Sequence, residues 1–306
     1  MKRYYFIVGI LIIGWLLPQV VGAQGEAPRN PLWYEPKIKH YLAHMSWSEV
    51  QELLKGSDMA IIPVGSIEQH GPQLPLGTDI LDALELALLV AQQTEVVVAP
   101  ALWVGYSEHH MGFPGTLTLS TDTLQQVLFE VAQSLIRHGF KKIMLLNRHG
   151  GNNTAVNIAI QRINHETEAT AAEISGLRLP EGTELPEAPQ IDWHAGVGET
   201  SFMLYLTPSL VDMSQARPPV LTLPADALTL SQIAKDNPNL NRLFSSSVFL
   251  PKATGKKASS REMSKTGVFT TGNPADATAE MGKMEVEGYV KAAVKFIEDW
   301  KKAEKE

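Results

Sequence analysis

Three short apolar runs alternate with helical patterns in the first half of the chain, and this alternation restricts the fold more than any other feature. The runs cover residues 59–64, 96–98 and 143–146. Leucine recurs at helical spacing after Asp79, and a similar pattern follows Asp122. Strand, helix and strand in succession predict parallel crossovers with helices on both faces of a sheet. We therefore expect an α/β fold.

The N-terminal segment differs in composition from the rest of the chain. Lys2 and Arg3 precede an uncharged run that ends at Leu17, and small residues occupy positions 21–23. This pattern is typical of a secretory signal peptide, and an uncleaved membrane anchor is the alternative. We expect a signal peptide over 1–23, a tether over 24–45 and one domain over 46–306. The protein would then be exported, periplasmic or secreted, with no membrane association after cleavage.

Charge and cysteine content exclude several classes of function. The 306 residues include 33 Asp and Glu against 26 Lys and Arg, for a net charge of -7, and the basic residues form no stripe. We therefore expect no nucleic-acid partner. The chain contains no cysteine, so any metal ion must be bound by His, Asp and Glu.

The loop after the first apolar run carries three side chains that can bind metal. Glu68 and His70 alternate along an extended segment and would project the same way, and Asp79 follows at a helix start. Divalent ions accept such oxygen and nitrogen donors. Each residue also has an ordinary structural explanation, with Asp79 as a helix cap and His70 as a hydrogen-bonded loop histidine.

Three further glycine-rich loops carry candidate residues. His149 lies at the carboxyl end of a predicted strand, where a tight turn with a capping Asn is the structural alternative. His194 and Glu199 flank small residues, and Glu199 could instead be only a first-turn helix acid. His109 and His110 are adjacent in the remaining loop, where we expect contact with substrate or support of the site, unless they are an exposed pair.

These four loops hold five of the nine histidines. Loops that follow parallel strands meet at the carboxyl edge of a sheet, where ligands bind in open α/β folds. The pattern therefore predicts one metal site at that edge.

The same segments resemble those of the creatininase (creatinine amidohydrolase) family. The resemblance rests on PVGSIEQHGPQLPLGTD, EHHMGFPGT, NRHGGNN, HAGVGETS and TGVFTTGNPADATAEMG, which follow the family's order. It implies a three-layer α/β/α sandwich with a mostly parallel central sheet, two divalent ions per subunit and assembly as a homo-oligomer. It also implies that Glu68, His70, Asp79 and His149 are metal ligands, with Asp79 shared by both ions, and that His194 is catalytic.

Four positions depart from the family pattern. Creatinine hydrolases have a metal-binding Glu where this chain has Gly151, and the branch with a His-Gly-Gly-Asn motif is expected to use Glu199 instead. They also have a Trp where Gln190 stands. Both differences argue against creatinine as the substrate. Arg148 replaces a usual glycine and Gln73 a usual histidine, and the sequence does not reveal the consequence.

We predict a metal-dependent hydrolase of a cyclic or linear C–N amide bond in a small molecule. Two ions of Zn, Mn or Fe would share Asp79 and a bridging water that supplies hydroxide. His194, as an imidazole that titrates near neutrality, would pass a proton to the leaving nitrogen. Glu199 would complete the ligand shell of the second ion. If Glu199 is not that ligand, His109 or Glu108 is the next candidate. The alternatives are a metal-dependent peptidase or deformylase with the same ligands, and a non-catalytic exported binding protein.

Overall fold

A parallel four-stranded sheet forms the centre of the protein. The computed structural model describes residues 37–183, 189, 191–222 and 260–303. The strands are β1 (Met59–Val64), β2 (Val97–Val98), β3 (Lys142–Asn147) and β4 (Thr170–Glu173), in the spatial order β2-β1-β3-β4. Every neighbouring pair in this sheet is parallel. The predicted parallel sheet is therefore confirmed.

Seven α-helices and a short antiparallel pair of strands accompany the sheet in the described part of the chain, together with short 3-10 helices. The helices are α1 (Trp47–Leu53), α2 (Thr78–Gln93), α3 (Thr121–Arg137), α4 (Asn153–Glu166), α5 (Val197–Leu206), α6 (Ser260–Met263) and α7 (Ala279–Ala303). Strands β5 (Asp192–His194) and β6 (Phe269–Thr270) pair antiparallel to each other.

Alternate side chains of β1 enter two separate cores, because successive residues of a strand point to opposite faces. Ala60 and Ile62 pack with buried residues of α3 and α4. Met59 and Ile61 pack with buried residues of α2 and α7. Helices cover both faces of the sheet, so the predicted three-layer α/β/α sandwich is confirmed.

The chain segments that follow β1 and β3 depart towards opposite faces of the sheet. Helix α2, which follows β1, belongs to one core, and α4, which follows β3, belongs to the other. Loops that diverge in this way open a crevice at the carboxyl ends of two adjacent strands. The loops that carry Glu68, His70 and His149 lie at this crevice.

The ends of the domain differ from the sequence prediction. The charged, amphipathic pattern of residues 291–306 predicts a C-terminal helix that starts at Lys291, whereas the helix begins at Ala279, twelve residues earlier. Gly282 and Gly288 lower helix propensity and obscure the pattern over its first turns. Upstream of the predicted boundary at 46, Tyr41 bridges to Val98 at the edge of the sheet. Residues 1–36, 184–188, 190, 223–259 and 304–306 lie outside the described part, so the signal peptide stays a prediction.

No helix in the described ranges is both long enough and apolar enough to cross a bilayer.

Helix α7 packs so closely on α5 that one glycine is required at the crossing. A Cβ at Gly282 would meet the carbonyl oxygen of Ser201 and would lie 2.9 Å from the backbone nitrogen of Phe202. These are backbone atoms, which cannot rotate away as a side chain can. The orientation of α5 therefore depends on a side-chain-free position in α7.

Gly282→Ala tests this packing, because two effects oppose each other. Alanine in an exposed helix would stabilise by about 1 kcal/mol, whereas forced overpacking costs about 1–3 kcal/mol. We expect net destabilisation, measured as a lower midpoint in urea unfolding. Gly176→Ala is the control, since a Cβ there meets no heavy atom within 4 Å. A higher midpoint for Gly282→Ala would contradict the close crossing.

Candidate metal centre

The loop after β1 buries a carboxylate among imidazoles. Glu68 is fully buried, with Oε2 at 3.3 Å from His149 Nε2. Its Oε1 lies 3.4 Å from His110 Nε2 and 3.6 Å from His194 Nδ1. Neither oxygen has a hydrogen bond among the residues that the structure describes. A buried carboxylate in this state needs a positive partner.

His70 is oriented by the backbone of its own loop. Its Nδ1 lies 3.0 Å from the Glu68 carbonyl oxygen, so an Nδ1–H group donates to that carbonyl. The other nitrogen, Nε2, lies 3.0 Å from Asp79 Oδ1 and 3.6 Å from Glu199 Oε2. A histidine that donates one nitrogen to a carbonyl and directs the other at carboxylates has the usual arrangement of a metal ligand.

His149 has the same arrangement on the opposite side of Asp79. Its Nε2–H donates to the Tyr106 carbonyl at 2.8 Å, and its Nδ1 lies 3.1 Å from Asp79 Oδ2. Each oxygen of Asp79 therefore faces a different histidine. Helix α2 has no side-chain cap at its N-terminus, and Asp79 lies inside its first turn. The helix-cap explanation for Asp79 is therefore wrong.

Asparagines hold the turn that carries His149. Asn147 accepts from the His149 N–H at 3.2 Å and donates to the His149 carbonyl at 2.9 Å. Asn152 donates to the Gly65 carbonyl at 2.9 Å and accepts from the Tyr106 N–H at 2.9 Å. Asn152 makes no side-chain cap to α4. Its amide instead ties the β3 loop to the β1 loop and to the loop of His109.

Gly151 leaves no room for a side chain. A Cβ at this position would collide with the Tyr106 carbonyl oxygen and with His149 Nε2, and would lie 3.1 Å from His109 Cε1. The chain has no glutamate at this position, and the surrounding atoms would not accommodate one. A second ion would need its third ligand from another segment.

That other segment is the turn between β5 and α5. Asp192 accepts from the N–H groups of Val197 at 3.0 Å and Gly198 at 2.7 Å, so its carboxylate caps α5. Ala195 has a φ of 51°, a left-handed conformation that is uncommon for a residue with a Cβ. Glu199 Oε2 accepts from the Ala195 N–H at 2.5 Å and faces His70.

Gln73 supports this turn, which gives a role to one departure from the family pattern. Its Nε2 donates to the Ala195 carbonyl at 2.8 Å and lies 3.4 Å from Thr200 Oγ1. Gln73 is buried. Gln73, in place of the usual histidine, thus holds Ala195, the residue with the left-handed conformation between His194 and Glu199.

His194 is buried beside the same cluster. Its Nε2 lies 2.5 Å from the Gln69 carbonyl oxygen, and its ring stacks on His110 at 4.2 Å between centroids. His110 is also buried, which contradicts the explanation of His109 and His110 as an exposed pair. Its Nδ1 lies 2.7 Å from Ser260 Oγ. The adjacent histidines support the cluster, as one of the two interpretations of the sequence proposed.

The charges of the cluster shift several pKa values. Burial lowers the pKa of His70, but the carboxylates of Asp79 and Glu199 outweigh it and raise the value to about 10. Burial raises the pKa of Asp79, but His70 and His149 outweigh it, and the pKa falls below its ordinary value. Burial raises the pKa of Glu199 to about 7. Burial and the nearby His70 lower the pKa of His194 to about 3, unlike the near-neutral titration expected from the sequence.

The donor set fits divalent ions. Both oxygens of Glu68 and Oδ2 of Asp79 are buried without hydrogen bonds. His149 Nδ1 lies 3.1 Å from Asp79 Oδ2, and His70 Nε2 lies 3.0 Å from Asp79 Oδ1, close to the spacing of about 3.3 Å between two donors of one tetrahedral ion. Three sets of three donors lie within 4.8 Å of one another: Glu68, His109 and His149; Glu68, His70 and His194; and His70, Asp79 and Glu199.

These sets place the candidate residues as follows. The third set contains the expected second-ion ligands His70, Asp79 and Glu199, whereas none of the three sets found among the described residues joins Glu68, Asp79 and His149, the expected ligands of the first ion. His194, expected only as a catalytic residue, also has donor geometry, and so does the substitute candidate His109. Glu108, the other substitute, is exposed and belongs to none of the sets. Gln69 and Ser260 were not foreseen, because their contacts join segments that are far apart in sequence.

A cavity of about 470 Å³ opens onto the cluster. Its described lining includes Glu68, Asp79, His149, His194 and Glu199 together with Tyr106, His109, His110, Arg148, Gly150, Gly151, Asn153 and Trp193. A volume of this size suits a small molecule or a few residues of a peptide. Gln190, where creatinine hydrolases have a Trp, lies outside the described residues.

Comparison with known proteins places these features in context. The sequence model of the creatininase family, described as creatinine amidohydrolase, matches residues 43–297. The mycofactocin precursor peptide peptidase of Mycolicibacterium smegmatis is 38% identical over 160 residues, which are 49% of this chain and 58% of that protein. The chain thus covers less than two thirds of this relative.

Two further curated relatives have other activities. The 3-dehydro-scyllo-inosose hydrolase of Thermotoga maritima is 40% identical over 111 residues, which are 36% of each protein. The creatinine amidohydrolase of Pseudomonas putida is 28% identical over 207 residues, which are 61% of this chain and 80% of that protein.

Solved structures support the fold. A mutant creatininase complexed with creatine has a TM-score of 0.64 at 21% identity, covering 85% of this chain and 98% of that chain. A mutant creatininase of the Zn-Zn type has a TM-score of 0.61 at 23% identity, covering 87% and 98%.

Metal uptake should release protons, and the raised pKa of His70 gives the sign. A ligand imidazole must be neutral, whereas metal-free His70 is protonated at every pH below about 10. Protonated His70 stabilises the metal-free fold fully below pH 6.5, and this contribution disappears as the pH rises through about 10. We expect release of at least about one proton per chain near pH 7.

The measurement is calorimetric titration of Zn²⁺ into chelator-stripped protein in PIPES and in HEPES, which differ in ionisation enthalpy. Proton release makes the observed enthalpies differ. His165→Gln is the control, since His165 is exposed on α4. Equal enthalpies in both buffers would show that His70 is not a ligand that loses a proton.

Proposed function

The chain belongs to the creatininase family, and on that premise we propose that it is a metal-dependent hydrolase of a C–N amide bond in a small molecule. One observation carries the proposal. Three carboxylates and the histidines of four separate loops converge at the switch point of the sheet, with buried oxygens that lack hydrogen bonds, beside a cavity. Burying so many ionisable groups together lowers the stability of the fold, and such clusters are typical of catalytic metal centres.

The proposed ligands form two groups that share Asp79. Glu68 and His149, through the Nδ1 that faces Asp79, would hold one ion with Asp79, and His70 and Glu199 would hold the other with Asp79. Zn or Mn is the proposed metal, since neutral imidazole and carboxylate suit both. The chemistry that such ions supply when bound is polarisation of the amide carbonyl and a lower pKa of water.

His194 would carry the proton that the leaving nitrogen needs. An Nε2–H group that donates to the Gln69 carbonyl leaves Nδ1 free to exchange a proton. Its lowered pKa makes the imidazole neutral, so it can accept a proton before it donates one. Gln69 and the His110 ring fix its orientation.

A metal-dependent peptidase is the second candidate, and the relative from Mycolicibacterium smegmatis favours it, because that protein is a peptidase at 38% identity. The same ligands would serve either reaction. Creatinine is the less favoured substrate, because Gly151 cannot be replaced by the glutamate of creatinine hydrolases without a collision. A binding protein without catalysis would retain the metals and show no turnover.

Metal content tests the ligand assignment. Asp79→Ala should bind neither ion, because both share this residue, whereas Glu199→Gln should fold normally and lose one ion. Ions per chain are counted by mass spectrometry of the metals after gel filtration. Glu108→Gln, an exposed acid of a neighbouring loop, is the control and should keep both. Two ions in Asp79→Ala, or full content and rate in Glu199→Gln, would overturn the assignment.

His194→Ala tests the proposed chemistry. We expect two ions per chain and a loss of turnover of about 100-fold or more, since general acid–base catalysis contributes about 10²–10⁴. The assay is a panel of lactams, N-formyl compounds and short peptides with metal-loaded protein, with EDTA as the negative control. Loss of an ion would make His194 a ligand, consistent with its place near Glu68 and His70. Absence of turnover on the whole panel by the wild type would contradict the amidase and the peptidase alike.

A further inference from the structure

Arg148 is the one Arg or Lys among the described residues that line the cavity, and the ligand assignment above gives it no role. It directly follows β3 and precedes His149. The usual glycine of the family has no side chain there. The guanidinium is therefore an addition to the cavity in this chain.

Helix α5 determines where the guanidinium lies. Its carbon is 4.8 Å from the centroid of the Phe202 ring, a distance typical of a cation–π contact. Phe202 follows Glu199 by three positions on α5, and residues at this spacing share a helix face about 5–6 Å apart. The contact with Phe202 thus holds the guanidinium beside α5, and Arg148 lines the same cavity as Glu199.

The guanidinium lacks an anionic partner in contact. Among the described residues, the carboxylates of Asp82 and Glu285 act on it, but neither forms an ion pair with it within 4.0 Å and neither lines the cavity. Its Nε is buried and has no hydrogen bond among these residues. A buried donor in this state is rare in native proteins and indicates a missing partner.

The charge of the cavity favours an anion. The lining carboxylates Glu68, Asp79 and Glu199 contribute three negative charges. Two divalent ions would contribute four positive charges, and Arg148 adds a fifth. The metal-loaded cavity is therefore net positive, and a planar guanidinium matches a carboxylate with two hydrogen bonds.

We propose that Arg148 binds a carboxylate of the substrate, so that the substrate class is an N-acyl or cyclic amide that carries a carboxylate near the scissile bond. This inference rests on the proposed metal-dependent hydrolase. Arg148 directly precedes the proposed ligand His149 and lines the same cavity as Glu199, so the carboxylate would lie near the amide that the metal centre holds. Neutral amides of the same size would bind more weakly.

The test uses two matched probes that anchor on the metals through a hydroxamate. Succinic acid monohydroxamate ends in a carboxylate, and succinamide monohydroxamate ends in a neutral amide of equal size. Dissociation constants are measured by calorimetry with zinc-loaded wild type and with Arg148→Met, Arg148→Lys and Arg162→Met. Arg162 is the matched control, because its guanidinium stacks on Phe129 at 3.9 Å outside the cavity.

We expect the carboxylate probe to bind wild type and Arg162→Met at least about tenfold more tightly than the amide probe. Arg148→Met should reduce this preference to about twofold or less, and Arg148→Lys should retain part of it, because lysine keeps the charge and loses the two-pronged contact. Both zinc ions should remain in every variant, which verifies folding.

The failures are distinguishable. Equal affinity of the two probes for wild type, or an undiminished preference in Arg148→Met, would overturn the role of Arg148 and leave the metal centre in place. Failure of both probes to bind zinc-loaded wild type would overturn the proposed function and this inference together.

Discussion

The cost of burying Glu68 and Asp79 is the constraint on which the site depends. A carboxylate removed from water is strongly destabilised unless positive charge or hydrogen bonds surround it. Around these two residues the chain supplies imidazoles from four loops and leaves several oxygens without hydrogen bonds. Much of the surrounding structure, from the asparagines of the β3 turn to the strained Ala195, serves to hold those imidazoles and Glu199 in place.

The sheet makes this concentration of charge geometrically simple. Two adjacent parallel strands end at one edge, and their following helices depart to opposite faces, so the loops separate without competing for space. A third group of side chains, His194 and Glu199, comes from the turn between β5 and α5. This turn reaches the same edge of the sheet, and α5 packs against α7. The centre thus joins a regular frame to one irregular segment.

Local patterns in the sequence predicted most of the frame. The strand at residues 59–64 and the helices after Asp79 and Asp122 have clear periodicity, and the glycine-rich loops mark the strand ends where the charged residues converge. What could not be predicted depends on contacts between distant segments. Gln69 meets His194 across 125 positions, Gln73 reaches Ala195 across 122, and His110 meets Ser260 across 150. The early start of α7 was hidden because packing on α5, rather than propensity, makes Gly282 acceptable in a helix.

The closed space at Gly151 has an evolutionary consequence. Under the proposed assignment, the two branches of the family place the same carboxylate function on different loops. A glutamate introduced at 151 would place its Cβ against the Tyr106 carbonyl oxygen and His149 Nε2, and loss of Glu199 beforehand would leave an ion with two ligands. Under this assignment neither single substitution would preserve both ions, so a change from one solution to the other would require linked substitutions in both loops.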